Sequence, residues 1–269
     1  MVRDLAGSEP VSGQTAVVTE NKPQRRFPRH PSLPNVSLSR ALSKLGFASR
    51  KQAREMIRSG RVTVNGRTLT NPEVRVHPER ETIAVDGQTV TRGRRLYIMM
   101  HKPAGTVTTR SDEHDRSTVY DLLKDQDRWL FPVGRLDRDS RGLLLFTNDT
   151  QWANALMDPA SKVTKVYELR LDREMTDRDM DCFRAGLTLD GGERTLPAKI
   201  RRVNRADGPW VEAAITEGRN RQLRRMMASL GYDVKSLIRT RIGTVSLEGL
   251  KEGSVRPLTD REVLSLKLT

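Results

Sequence analysis

Asp137 lies between Arg135 and Arg138 in an abruptly polar loop, a carboxylate with a guanidinium on either side. Two apolar runs, residues 130–133 and 143–146, bracket that loop and are bounded by Pro, Gly and Asn. Their shortness and those boundaries predict buried strands rather than helix. A charged loop between buried strands holds a reactive group on rigid support while leaving it within reach of a ligand. The same pattern also fits an ordinary charged hairpin tip, and spacing alone does not separate the two. A reactive aspartate in a dry pocket would take up a proton unless a cation balanced it. Residues 217–231 supply such cations in Arg219, Arg221, Arg224 and Arg225. There Leu223, Met226, Met227 and Leu230 fall at helical spacing and Gly231 closes the run, which predicts a helix over 217–231 with the methionines in the core.

Other chemistries find little support. A single cysteine, Cys182, leaves no intrachain disulfide and no cysteine zinc cluster, and His30, His77, His101 and His114 lack metal-ligand spacing. Phosphate-cradling and dinucleotide glycine patterns are missing. No apolar run approaches the ~20 residues of a membrane span, and the first residues lack an apolar signal core. The expectation is a cytoplasmic protein without metal or cofactor.

Charge points to the partner. The 269 residues hold 48 Lys and Arg against 34 Asp and Glu, a formal net charge of +14, which suits a polyanion such as nucleic acid. Residues 37–95 alone hold 13 basic and 5 acidic side chains, eight of those fourteen charges. Residues 1–36 are polar and interrupted by Pro10, Pro23, Pro28, Pro31 and Pro34, the composition of a disordered basic leader. Order is expected from Ser37. Leu38, Ala41, Leu42 and Leu45 repeat at helical spacing, and Ser49 can cap a second helix whose Ala53, Met56 and Ile57 face inward. Arg40, Lys44, Arg50, Lys51, Arg54 and Arg58 are left outside, and Arg61 opens a strand that enters an Asn65-Gly66 hairpin turn. Residues 82–87 repeat that form.

Several of these motifs resemble one family. Gly134-Arg135-Leu136-Asp137, Ser140, Gly142-Leu143-Leu144 and Thr147-Asn148-Asp149 are similar to the signature of the Rsu/Rlu family of ribosomal-RNA pseudouridine synthases. Ala48-Ser49-Arg50-Lys51-Gln52-Ala53, Gly60-Arg61-Val62 and Asn65-Gly66 resemble the S4-like RNA-binding domain that precedes the catalytic domain in many of its members. The resemblance implies an α+β architecture. Residues 37–94 would form a small S4-like module, and residues 95–269 a catalytic domain on a mainly antiparallel mixed sheet with helices.

The implied reaction breaks the N-glycosidic bond of a uridine, turns the base and rejoins it to the sugar through carbon. It needs an ionised carboxylate, a cavity for an extruded base and an acceptor for the C5 proton. The resemblance makes Asp137 the catalytic carboxylate. It makes Arg224, the arginine of a Gln-x-Arg pattern, its ion partner, and Tyr167 of Lys165-Val166-Tyr167 the ring that stacks on uracil. Arg135, Arg138, Lys165, Arg219 and Arg221 would handle RNA beside them, while the basic residues from Arg40 to Arg61 would position it. Asp139 and Asp149 are expected in turn and capping roles, and Lys102 of the Lys-Pro-x-Gly turn as a simple turn residue.

The elements that must position these groups can be read from the remaining pattern. Strands are expected at 96–100, 165–170, 198–203, 210–215, 234–238 and 242–247, and helices at 118–123, 151–157, 176–183 and near the C-terminus. Residues 231–234, 239–242 and 245–247 look closer to large-subunit enzymes, which implies 23S rRNA and a monomer that acts on a ribosomal subunit or an assembly intermediate. A non-catalytic ribosome-binding factor, a base-releasing N-glycosidase, and a 16S rRNA or tRNA substrate are the alternatives.

Overall fold

The computed structural model describes residues 35–110, 112, 115–123 and 129–267. The leader assigned to residues 1–36 falls almost wholly outside them. Val36, counted with that leader, is buried, and the strand Val36–Ser37 pairs with Arg75–Val76, so order begins before Ser37.

The basic segment folds as expected. Helices Leu38–Lys44 and Arg50–Arg58 pack Leu38, Ala41, Leu42, Ala53 and Ile57 into a core of their own with Val62, Val64, Ile83 and Val85. Ser49 caps the second helix reciprocally with Gln52. Each hairpin turns on a left-handed pair, Asn65-Gly66 and Asp86-Gly87, the conformation such two-residue loops require. A four-stranded antiparallel sheet results, ordered Arg67–Thr68, Val62–Val64, Ile83–Val85, Gln88–Thr89.

Beyond residue 95, nine strands among the described residues form one mixed sheet. Its path runs Lys199–Val203, Trp210–Ile215, Lys165–Leu171, Val234–Ile242, Arg141–Thr147, Tyr97–Lys102, Val255–Pro257. Phe131–Val133 adds to Arg141–Thr147, and Val245–Ser246 to Val234–Ile242. Every pairing is antiparallel except one short parallel contact, Ile238 with Arg141 and Arg239 with Gly142. The strands expected at 234–238 and 242–247 are both present with moved bounds: the first runs on to Ile242, with a register shift opposite Val166 and Tyr167, and the second is Val245–Ser246.

The sheet is buried on both faces. One face packs Met100, Leu144, Phe146, Tyr167, Leu169 and Leu237 against helices Asp177–Ala185 and Gln222–Ser229. The other packs Leu143, Leu145 and Ile242 against Thr150–Met157 and Asp260–Ser265. The Asn148 side chain accepts from Leu96 N and donates to Arg94 O, and a Cβ on Gly46 would lie 3.4 Å from it, so this asparagine closes the junction between the helical module and the large sheet. Asp149 caps Thr150–Met157 in the role expected of it. No helix among the described residues is long and apolar enough to cross a membrane.

Candidate active site

The loop carrying Asp137 joins two neighbouring antiparallel strands, Phe131–Val133 and Arg141–Thr147. Three devices hold it. Leu136 is buried in the core, and its carbonyl accepts from Thr108 Oγ1 at 2.7 Å. The loop closes on itself through Ser140 N to Asp137 O at 3.0 Å. The third is Lys102, expected to be a plain turn residue. It is instead the last residue of the strand Tyr97–Lys102 and has no solvent exposure. Its Nζ donates to the carbonyls of Ser140 (2.8 Å), Pro103 (3.0 Å) and Arg138 (3.2 Å). Burial pushes this ammonium down to about 8, although Asp137, Asp139 and Glu252 pull the other way.

Asp137 projects from this clamp with 31% of its side chain exposed. The ion partner differs from the one expected. Among the described residues the carboxylate pairs with Arg221, Nη1 to Oδ2 at 3.7 Å, and not with Arg224. Arg224 donates to Val234 O at 3.0 Å and to Asp139 O at 3.5 Å, so it braces the loop from behind. Burial and the neighbouring Arg221 lower its pKa, with Asp137 and Asp139 opposing.

The reason lies in a helix shorter than its apolar spacing suggested. Residues 217–221 stay outside it, and the helix is Gln222–Ser229 with Arg221 left-handed at its N-cap (φ 47°). The Gln222 side chain accepts from Arg219 N at 3.1 Å and donates to Glu217, which folds the preceding segment back as a turn. That turn aims Arg221 at Asp137, whereas on the helix Arg224 faces the adjoining strand.

A cleft of about 860 Å³ opens over this arrangement. Arg135, Asp137, Lys165, Tyr167, Arg219 and Arg221 line it, so six of the expected site residues come together; Arg138 and Arg224 stand outside the lining. Tyr167 is 8% exposed on the strand Lys165–Leu171. Burial lowers the Lys165 pKa, with Arg239 adding to the effect. Arg219 is bound by Glu193 and Glu217, each at 3.0 Å, and Arg138 by Asp139 at 3.1 Å. In the helical module, Arg61 holds Asp86 in a fork at 2.5–3.2 Å and Arg54 meets Glu73 at 3.3 Å. These four cations thus have carboxylate partners of their own. Arg40, Arg50, Lys51 and Arg58 are exposed, with no ion pair to another described residue.

Sequence reasoning passed over two residues. Lys102 ends an apolar strand, and a lysine continuing an apolar run is the signal that was there to read. Arg239 lies in an alternating strand where its type says little, yet it is 3% exposed and lines the cleft. Both belong to one row across the sheet. Tyr167 faces Arg239, Arg239 faces Gly142 and Gly142 faces Lys102. Gly142 has φ +110°, and a Cβ there would meet the Arg239 carbonyl oxygen at 2.3 Å, so only glycine lets the two parallel strands close.

A clamped carboxylate beside a guanidinium, facing a cleft large enough for a nucleotide, is what an enzyme of base or sugar chemistry requires. The family model for RNA pseudouridylate synthase matches residues 96–229, and that for the S4 domain matches residues 37–81. The ribosomal large subunit pseudouridine synthase B of Bacillus subtilis is 35% identical over 233 residues, which is 86% of this chain and 95% of that protein. An uncharacterized RNA pseudouridine synthase of Mycobacterium tuberculosis is 38% identical, covering 85% and 91%. A crystal structure of a pseudouridylate synthase superposes with a TM-score of 0.62 at 32% identity, over 86% of this chain and 99% of that one. The chain belongs to the RNA pseudouridylate synthase family. It is an isomerase with an S4 domain, which sets aside the readings as a binding factor alone and as a base-releasing glycosidase.

Proposed function

We propose that this enzyme converts one uridine, or a few neighbouring ones, in 23S ribosomal RNA to pseudouridine, with Asp137 as the catalytic carboxylate. The observation that carries the assignment is the placement of Asp137. Its loop is fixed by Lys102 and Leu136, and its carboxylate lies beside Arg221 on the wall of the cleft of about 860 Å³. Arg221 sets a guanidinium 3.7 Å from the carboxylate that this reading makes catalytic. Tyr167 forms the flat, mostly buried surface on which an extruded uracil stacks. Arg224 holds the loop rather than the carboxylate, and so acts as a positioning residue. Arg135 is exposed at the cleft and suits the RNA left behind by the flipped nucleotide.

Large-subunit RNA is favoured because the Bacillus subtilis relative named for that substrate matches along 95% of its length. Residues 37–94 would position the RNA and residues 95–269 act on it. The enzyme would work as a cytoplasmic monomer on a ribosomal subunit or an assembly intermediate.

Pseudouridine mapping across ribosomal RNA, in cells with and without this protein, tests the assignment. One 23S position or a few neighbours should lose the modification, regain it with the wild-type enzyme and fail to regain it with Asp137→Asn. Persistence of every ribosomal pseudouridine in the deletion would remove the rRNA assignment, and a lost site in 16S rRNA or tRNA would redirect it.

A further inference from the structure

The row that contains Tyr167 also holds a cation without a counterion. Arg239 is only 3% exposed, yet it forms no ion pair with any described residue. Its Nε donates to Leu143 O at 2.7 Å. The described residues offer its terminal nitrogens no acceptor, and Nη2 is buried without a partner. Its guanidinium lies 5.9 Å from the centre of the Tyr167 ring. On the far side of the row stands Gly142, which places no side chain over the cleft floor. A buried cation without a counterion is costly, because water is withdrawn and no carboxylate replaces it. Leu143 O and the Tyr167 ring face are both neutral, so neither supplies a counterion for a charge in this position.

We propose that Arg239 contacts the extruded uracil and stabilises the negative charge that forms on its carbonyl oxygens during the reaction. The proposal rests on the reading of the cleft as the uridine site. When the C1′–N1 bond breaks, its electron pair goes to N1 and spreads over O2 and O4 of the base. The sugar carbon is left electron-poor beside Asp137. The ring then turns, its C5 supplies the electron pair for the new C1′–C5 bond, C5 loses its proton and N1 gains one. Atoms and charge balance with no further reactant. A donor aimed at charge that exists only in the course of reaction lowers the barrier more than it tightens binding. Tyr167 and Arg239 are cross-strand neighbours, so a base stacked on the ring has an edge within reach of the guanidinium. Phosphates have another partner, since Arg135 stands exposed at the cleft while Arg221 is paired with Asp137.

The test uses the full-length enzyme and an RNA fragment containing the uridine identified by mapping. Arg239→Gln should lower the single-turnover rate about 10²-fold, the cost typical of removing one donor to developing charge. RNA affinity should change by less than about threefold, on the same principle that ground-state binding is spared. Arg239→Lys should recover part of the rate, and methylguanidinium added to Arg239→Ala should restore about tenfold, since it returns the donor to the vacated space. A rate equal to wild type overturns the proposal. A loss confined to affinity does so too, because it marks a phosphate contact. Variants that no longer fold, or that stay slow with the added guanidinium, identify Arg239 as a strut for Leu143 and also overturn it. Wild-type enzyme that forms no pseudouridine in the fragment would instead defeat the uridine reading beneath it, before any variant is compared.

Discussion

Lysine is rarely buried, because its ammonium is strongly hydrated and must be met by acceptors when water is withdrawn. Lys102 meets that condition with three backbone carbonyls, two of them, those of Arg138 and Ser140, on the loop that carries Asp137. The same residue therefore holds the fold together and fixes the loop that carries the proposed catalytic carboxylate. Lys102→Met fits the space but strands those carbonyls, and should destabilise the fold by about 3 kcal/mol, each bond to a charged group contributing roughly 1.5–3 kcal/mol less the cost of burying the ion. Denaturant unfolding measures this. The rate of the chemical step should fall while RNA affinity holds, since the carboxylate is displaced and the cations of the S4 module are not.

The pH dependence of Lys102 has a definite sign. Its pKa in the fold, about 8, lies below the value of 10.5 for the exposed side chain. Between these two the unfolded chain holds more protons than the folded one, so this residue's contribution to stability rises with pH across that window. Below about pH 8 the folded protein carries the full cost of a buried charge. The unfolding free energy of wild type minus that of Lys102→Met should therefore climb from about pH 8 to pH 10.5, an interval set by the two pKa values. A flat difference would mean that the ammonium is not desolvated.

At the scale of elements, the site depends on one parallel contact in an otherwise antiparallel sheet. Arg141–Thr147 and Val234–Ile242 pair in register only at Ile238–Arg141 and Arg239–Gly142, and this pairing places Arg239 between Tyr167 and Lys102. Gly142→Ala should be severe. The new Cβ would meet backbone at 2.3 and 2.5 Å, and φ +110° disfavours any side chain. A loss of about 3 kcal/mol or more is expected from strain of that kind, read as a fall in unfolding midpoint. Gly134→Ala also sits at positive φ, but no atom lies within 4 Å of its Cβ, so it should cost less. Comparing the two separates crowding from backbone strain.

The sequence disclosed these elements unevenly, for physical reasons. The helices of the S4 module and both hairpins were readable because caps and turns are local. Ser49 reaches Gln52 three residues away, and Asn65-Gly66 suits its turn by itself. The Asp137 loop was readable because its flanking strands are short, apolar and close in sequence. Legibility failed where an interaction crosses the chain. Arg221, not Arg224, faces Asp137 because Gln222 folds the segment before the helix, which periodicity cannot register. Lys102 acquires its role from carbonyls 36 and 38 residues away. Arg239 acquires its place from a cross-strand row that exists only once three strands have met.

At the scale of the whole molecule, net charge hides a division of labour among the cations. Arg54, Arg61 and Arg92 lie in the densely basic segment but pair with Glu73, Asp86 and Glu79. Pairs this exposed add little stability, and they withdraw those cations from the field an RNA would feel. Arg40, Arg50, Lys51 and Arg58 remain unpaired among the described residues, and Lys44 has its pKa lowered by burial and by nearby Arg40 and Arg92. Binding of phosphates by such groups releases counterions, so they are counted by the salt dependence of affinity. Replacing Arg40, Arg50, Lys51 and Arg58 together by alanine should reduce the slope of log Kd against log salt by about 0.7 for each phosphate that is no longer neutralised. The single-turnover rate at saturating RNA should stay within about twofold of wild type, because phosphate contacts of the kind proposed for these residues position RNA without touching the base. Arg54→Ala with Arg61→Ala should leave the slope nearly unchanged, their charges being already answered within the fold. An equal fall in slope for both sets would show that the internal pairs open on RNA. A quadruple variant with the wild-type slope would show that the phosphates lie along the cleft arginines instead.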